Sequence, residues 1–385
     1  MKYLGYTEIE LQKLGGIYTA REIQQQPDVW LKIYKQLKND AAEINQFIKK
    51  AVSEVDEIIL TGAGTSAYIG ICLESEFKKN TGVHANAVPT TDIVTHPQNF
   101  FHKDKKVMLV SFARSGNSPE SCAAVDLAEH FSGKLFHLVI TCNKEGDLVT
   151  KSRKPFQQDI FLPEETNDVS LAMTSSFSGM LLTGLLVSQI SNINKLQEKV
   201  ETIVHYGQNI LNNNVNDLSQ IAKLDFNRAV FLGSGPLFGT AVESSLKVQE
   251  LTDGQILCMN ESFLAFRHGP KAVIKDKTIV MFLLSNDPHA QKYERDLVKT
   301  IKNENVALSL IGVSEGNSKG LGLDFSIDFA EQETQIDEAF LTVCSVLPAQ
   351  MLGFFKSIDL GFKPDTPSTS GTITRVVEPF VIHHK

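Results

Sequence analysis

The strongest constraint on how this chain can fold is that one pattern occurs in it twice. Ile58-Ile-Leu-Thr-Gly-Ala-Gly64 and Ala229-Val-Phe-Leu-Gly-Ser-Gly235 are each a short apolar run that breaks into a glycine turn. A helix-like segment follows each turn, Ser66 to Phe77 and Thr240 to Glu250, and Val242-Glu-Ser-Ser-Leu in the second echoes Cys72-Leu-Glu-Ser-Glu in the first. A further strand then ends in a polar loop, at Ser115-Gly-Asn-Ser-Pro119 in one copy and Ser285-Asn-Asp-Pro288 in the other. Gly62 precedes Ser115 by 53 residues and Gly233 precedes Ser285 by 52. Self-similarity at this scale predicts two homologous domains in tandem.

Inside each copy, strands alternate with helices. Strand candidates in the first are Ile58 to Thr61, Val83 to Val88, Val107 to Ser111, Leu135 to Thr141 and Asp159 to Leu162, with helices near Ser118 to His130 and Met173 to Ile190. The second copy adds strands at Thr278 to Leu284, Ala307 to Gly312 and Phe325 to Phe329, and a long helix from Asp337 to Ile358. This alternation predicts an α/β fold, each domain a mostly parallel sheet covered by helices. The expected divisions are an N-terminal helical arm over residues 1–50, a first domain over 51–195, a helical linker over 196–225 and a second domain over 226–385. In the arm, Thr19-Ala-Arg-Glu22 has the spacing of a capping box, and Trp30 is expected as a core or interface anchor. The arm cannot form a core alone and should pack on the downstream chain or on a partner subunit.

The segment Ser111-Phe-Ala-Arg-Ser-Gly-Asn-Ser-Pro-Glu120 reads as strand, tight polar loop and helix start. Its hydroxyls, at Ser111, Ser115 and Ser118, and the unpaired N–H groups of the helix suit a dianionic phosphate. The alternative is a turn that only caps a helix. In parallel sheets ligands bind beyond the carboxyl ends of strands, where both glycine turns and both polar loops fall. The copies are unequal, because the second replaces the hydroxyl-rich loop with Ser-Asn-Asp-Pro-His289. One phosphate site is expected, in the first copy.

Bulk properties narrow the partners. A net charge of −8 argues against nucleic acid, which selects basic surfaces. Cys72, Cys122, Cys142, Cys258 and Cys344 are scattered, with no C-x-x-C pair, so neither a disulfide framework nor a zinc site is expected. The N-terminus has no apolar signal region and no apolar stretch reaches membrane length, which predicts a cytoplasmic protein without a membrane partner. The turn at Gly62 is not G-x-G-x-x-G and no metal constellation is visible, so no cofactor is expected.

Gly62-Ala-Gly-Thr-Ser-Ala-Tyr68, Arg114-Ser-Gly-Asn-Ser-Pro-Glu120 and the duplication resemble the sugar isomerase (SIS) domains of phosphosugar isomerases. Ser245-Leu-Lys-Val-Gln-Glu-Leu251 and Phe266-Arg-His-Gly-Pro270 are similar to motifs in the isomerase half of glucosamine-6-phosphate synthase, here preceded only by the helical arm rather than a glutamine-amidotransferase half. Thr19-Ala-Arg-Glu-Ile-Gln-Gln-Gln-Pro27 and Trp30 resemble the AgaS group, described as tagatose-6-phosphate ketose/aldose isomerases or galactosamine-6-phosphate deaminases.

The resemblance implies roles for particular residues. Thr65, Ser66, Ser115 and Ser118 would hold the phosphate. Arg114 would either clamp it or be a solvated loop residue, the second being preferred. Glu250 would carry a proton between C1 and C2, with Lys247 beside it on the same helix face. From spacing alone these two are an ordinary surface pair. His268 would open the sugar ring, presented across the interface of a homodimer with shared sites. Asp168 and Thr174 fall in the loop that matches the family's contact with sugar hydroxyls and amine; Asp168 would hold a substrate ammonium or, alternatively, cap the following helix. The tail from Ser368 to Glu378 resembles a loop that covers the sugar, but the lysine of the synthase is absent, with Ile373 or Thr374 near its place. The implied reaction converts galactosamine 6-phosphate to tagatose 6-phosphate and ammonia. Alternatives are aldose–ketose isomerisation without deamination, a fructosamine-phosphate deglycase, and a non-catalytic phosphosugar sensor, which would not need Glu250 and His268.

Overall fold

A computed structural model of the chain describes residues 1–316, 318–330, 335–375 and 381–383; the end of the expected tail loop, residues 376–378, and His384 lie outside the described residues. Two compact units are present. One gathers Met1–Pro27, Val169–Thr174 and Glu201–Ile373, the other Asp28–Asp168, Ser175–Val200 and Thr374–Lys385.

The capping box of the arm forms earlier than the sequence suggests. Thr7 caps the helix Glu8–Leu14, its N–H donating to Glu10 Oε2 at 2.7 Å and its Oγ1 accepting from the Glu10 N–H at 3.3 Å. Helix α1 (Ile17–Gln24) starts after Gly16, so Thr19 and Glu22 lie inside it and form no box. Thr19 Oγ1 instead donates to Asp365 Oδ1 at 2.8 Å, and buried Glu22 accepts the N–H of Ser170 at 3.2 Å. In α2 (Gln26–Glu54), Trp30 is fully buried and its indole N–H donates to Ser178 Oγ at 2.9 Å. The expected anchor is a core anchor.

The first repeat contains β1 (Glu57–Thr61), α3 (Thr65–Thr81), β2 (His84–Ala87), β3 (Lys106–Ala113), α4 (Pro119–Phe131), β4 (Lys134–Thr141), β5 (Gln157–Phe161) and α5 (Ser175–Ser188). Its strands are all parallel, in the order β2-β1-β3-β4-β5. Helix α5 is buried along its whole length, as its continuous apolar sequence requires.

The second repeat contains β6 (Arg228–Leu232), α6 (Pro236–Leu251), β7 (Leu257–Glu261), β8 (Thr278–Leu283), α7 (Ala290–Glu304), β9 (Ser309–Ser314), β10 (Phe325–Asp328), α8 (Glu338–Ser345) and α9 (Leu347–Asp359). Its order is β7-β6-β8-β9-β10, again all parallel. The two sheets therefore share one topology, a doubly wound order with its switch point between the first and third strands. The single long helix expected from Asp337 is two, because Pro348 opens the second. Glu338–Asp359 together are long and apolar enough to cross a membrane, contrary to the expectation from the sequence; they are almost wholly buried in the fold.

Ladder register aligns the repeats residue by residue. Thr61 pairs with Ser111, and Leu232 with Phe282. Gly62 and Gly233, Ser111 and Phe282, and the helix starts Pro119 and Ala290 are all 171 residues apart. This shifts the motif pairing by one. Arg114, not Ser115, corresponds to Ser285; Ser118 corresponds to His289, and Cys72 to Glu243.

Candidate active site

In the first repeat, β1 and β3 end side by side and their helices leave on opposite faces. Ile59, Val107 and Leu109 pack with Ala124, Val125 and Ala128 of α4, whereas Leu60 on the other face approaches Gly70 of α3. A crevice at the strand ends results. Only glycine fits at position 62, where a Cβ would come within 2.6 Å of Ser66, and Gly64 turns the chain at φ +56°. Buried Thr65 and Ser66 begin α3, which has no side-chain cap. Ser118 is the N-cap of α4, yet its side chain makes no cap bond either. Two helix N-termini thus present amides at the switch point, beside the half-buried hydroxyls of Ser115 and Ser118.

The loop is shaped by groups that carry no signal in the sequence. Asn143 Nδ2 donates to the Ser115 carbonyl at 2.8 Å, Asn117 Oδ1 accepts the Asp147 N–H at 3.0 Å, and a Cβ on Gly116 would lie 3.2 Å from Gly146. Ser115 Oγ accepts the Asn117 N–H at 3.3 Å, closing a local turn. Ser111 does not belong to the loop. It is buried in β3, with Oγ 3.0 Å from His137 Nε2, and burial pushes that imidazole down to about 4.

Arg114 corrects the expectation of a solvated residue. It is buried, and its Nη2 donates to the Arg375 carbonyl at 2.5 Å. Arg375 in turn donates to the Asp168 carbonyl at 2.8 Å and to Asn167 Oδ1 at 3.0 Å. Arg375, unremarked in the sequence, thereby ties the described start of the tail to the loop. Asp168 has the geometry of a helix cap: its two carboxylate oxygens accept the N–H groups of Ser175, at 3.1 Å, and Ser176, at 2.9 Å, where α5 begins. Thr174 is fully buried immediately before that helix.

In the second repeat, α6 carries Glu243, Lys247 and Glu250 on one face. Lys247 and Glu243 are fully buried, while the Glu250 side chain is 23% exposed. The Lys247 ammonium lies 2.6 Å from Glu250 Oε2 and 3.3 Å from Glu243 Oε1. Burial pulls the lysine's pKa down, but the two carboxylates outweigh it and leave it raised. Lys247 is therefore a charged, buried group held between two carboxylates, one of them partly exposed. His268 stands exposed in the turn after the helix Phe263–Phe266, its own N–H donating to the Ala265 carbonyl at 2.9 Å.

Comparisons with known proteins identify the family. Residues 52–188 match the SIS domain model. The chain is 38% identical to a D-galactosamine-6-phosphate deaminase AgaS of Shewanella sp. (strain ANA-3), over 97% of this chain and 94% of that one. The chain belongs to the AgaS group of the SIS-domain family. A solved structure from Clostridium novyi NT has a TM-score of 0.97 with this SIS-domain chain at 38% identity, covering 100% of both. The crystal structure of tagatose-6-phosphate ketose/aldose isomerase from Escherichia coli has a TM-score of 0.87 at 34% identity, covering 96% of this chain and 97% of that one. In this SIS-domain protein the matched segment contains β1 through α5, the half with the serine loop.

Proposed function

We propose that this chain is an amino-sugar-phosphate deaminase and isomerase that converts galactosamine 6-phosphate and water to tagatose 6-phosphate and ammonia. The full-length 38% identity to a D-galactosamine-6-phosphate deaminase carries this reading. The uncapped helix ends and serine loop of the first repeat support a phosphate anchor formed by Thr65, Ser66, Ser115, Ser118 and their amides. Arg114 acts through Arg375, holding the tail rather than the phosphate.

The chemistry then needs one base and one ring opener. His268 takes the O1 proton and protonates O5, opening the ring. Glu250 removes the proton from C2 while a proton of the substrate ammonium passes to O1, giving an enolamine. Glu250 then returns its proton to C1 on the same face, leaving a protonated imine at C2. Water adds at C2, ammonia leaves, and the C2 ketone remains. Lys247 orients Glu250 through their 2.6 Å contact. The protein works as a cytoplasmic homodimer, in which exposed His268 serves the partner's site.

Ammonia release from galactosamine 6-phosphate tests the reaction; turnover to a ketose with no ammonia overturns deamination. That outcome is the second reading, simple ketose–aldose isomerisation, which the description of the Escherichia coli neighbour favours.

A further inference from the structure

The second repeat keeps the backbone of an anion site but fills it with its own carboxylates. Gly235 adopts φ 55° and ψ −133°, nearly the values of Gly64, 56° and −129°, and each precedes a long helix without a side-chain cap from its own N-cap residue. At the first switch point neither N-cap residue, Gly64 or Ser118, caps its helix with a side chain. At the second, Asp287 Oδ1 accepts the N–H groups of His289, at 2.8 Å, and Ala290, at 2.9 Å, at the start of α7. Glu338 lies beside the other glycine turn: its Oε2 is 3.6 Å from the position a Cβ on Gly235 would occupy, and its Oε1 accepts the Ser285 hydroxyl. Ser285 occupies the place of Arg114, so Glu338 bridges the glycine turn and the polar loop as a ligand oxyanion would.

We propose that the Glu338 carboxylate is an internal substitute for phosphate in the second repeat, and that removing its side chain opens a second site for a phosphate group. A further buried group points into the same cluster. Glu294, 1% exposed, accepts the Ser285 N–H through Oε2 at 2.9 Å, while its Oε1 has no hydrogen-bond partner among the described residues. Burial raises its pKa to about 8, with the Glu338 charge adding to the rise, so at pH 7 it carries a proton. A protonated Oε1 is a donor waiting for an acceptor, and it does not repel an anion.

The inference concerns only the second repeat and stands whichever sugar the first repeat binds. Titration calorimetry with inorganic phosphate at pH 7 tests it on the full chain. Glu338→Ala should bind one more equivalent of phosphate than the unmodified protein, and phosphate should raise its Tm more. Equal stoichiometry and an equal phosphate-dependent Tm shift overturn the proposal. Should Glu338→Ala not fold, Glu338→Gln keeps the volume and removes the charge. Its Tm should then fall below that of the unmodified protein and not recover with phosphate; an unchanged Tm overturns the proposal as well.

Discussion

The same two helical positions carry opposite pairs in the two repeats. Lys247 and Glu250 on α6 correspond, 171 residues on, to Glu76 and Lys79 on α3. On α3 the charges are reversed and the pair is a surface contact at 3.5 Å, with the lysine 64% exposed. On α6 the lysine is fully buried at 2.6 Å, with a second carboxylate, Glu243, where α3 has buried Cys72. An i,i+3 ion pair in water contributes a few tenths of a kcal/mol, and nothing in its spacing distinguishes the two. Burial does. An ammonium held out of water between two carboxylates is costly to maintain, and of the two matched helices only α6 holds one. The loops divide in the opposite sense. In the first repeat neither N-cap side chain bonds its helix, whereas in the second Asp287 accepts two N–H groups at the start of α7 and Glu338 accepts the Ser285 hydroxyl.

The largest expected effect is on turnover. Glu250→Gln should lower kcat by about 10²- to 10⁴-fold while phosphosugar binding, read by calorimetry, persists; a near-normal kcat would remove Glu250 from its role. If His268 completes the partner's site, mixing Glu250→Gln and His268→Ala chains after reversible dissociation should recover activity. One intact site in half of the dimers gives about a quarter of the unmodified rate. No recovery would place Glu250 and His268 of one site on the same chain. Stability separates the paired helices next. Lys247→Met removes the buried ammonium between Glu243 and Glu250 and should cost about 3–5 kcal/mol in denaturant unfolding, whereas Lys79→Ala should cost under about 1 kcal/mol. Comparable losses would erase the contrast between the repeats. For the loops, Ser118→Ala should raise KM about tenfold, the loss of one hydroxyl bond to a charged ligand. Pro288→Ala, in the closed loop of the second repeat, should leave KM unchanged.

How much of this is visible in the sequence depends on where each signal lies. The strand-to-glycine pattern is legible because glycine is required at position 62 by the close approach of Ser66 and at position 64 by a positive φ. The pairing of the loops comes out one residue off, since serine is matched with serine, while the ladder sets Arg114 against Ser285. Strand β7 escapes notice: it is an edge strand with Leu257 65% exposed and Asn260-Glu261 at its end, so it lacks an apolar period. The charged helix pair is visible only as spacing, and spacing carries no information on burial. The contacts that shape the loops are the least accessible. Arg375 lies 261 residues from Arg114, and Glu338 lies 53 residues from Ser285. No local pattern announces a partner at that distance.

In pH the two repeats should fail at opposite ends. Glu294 titrates in the folded protein at about 8, above its ordinary 4.5. Between those values the folded state holds a proton that the unfolded chain has lost, so stability declines as pH rises, by at most about 1.4 kcal/mol per pH unit. His137 runs the other way. Burial lowers it from 6.5 to about 4, so in that interval the unfolded chain binds the extra proton, and stability is lost as pH falls. Glu294→Gln should flatten the alkaline loss between pH 6 and 8, and His137→Gln the acid loss between pH 6.5 and 5. Calorimetric melting of the full chain across this range reads both. If either substitution left its limb unchanged, the buried group concerned would not be the one that titrates.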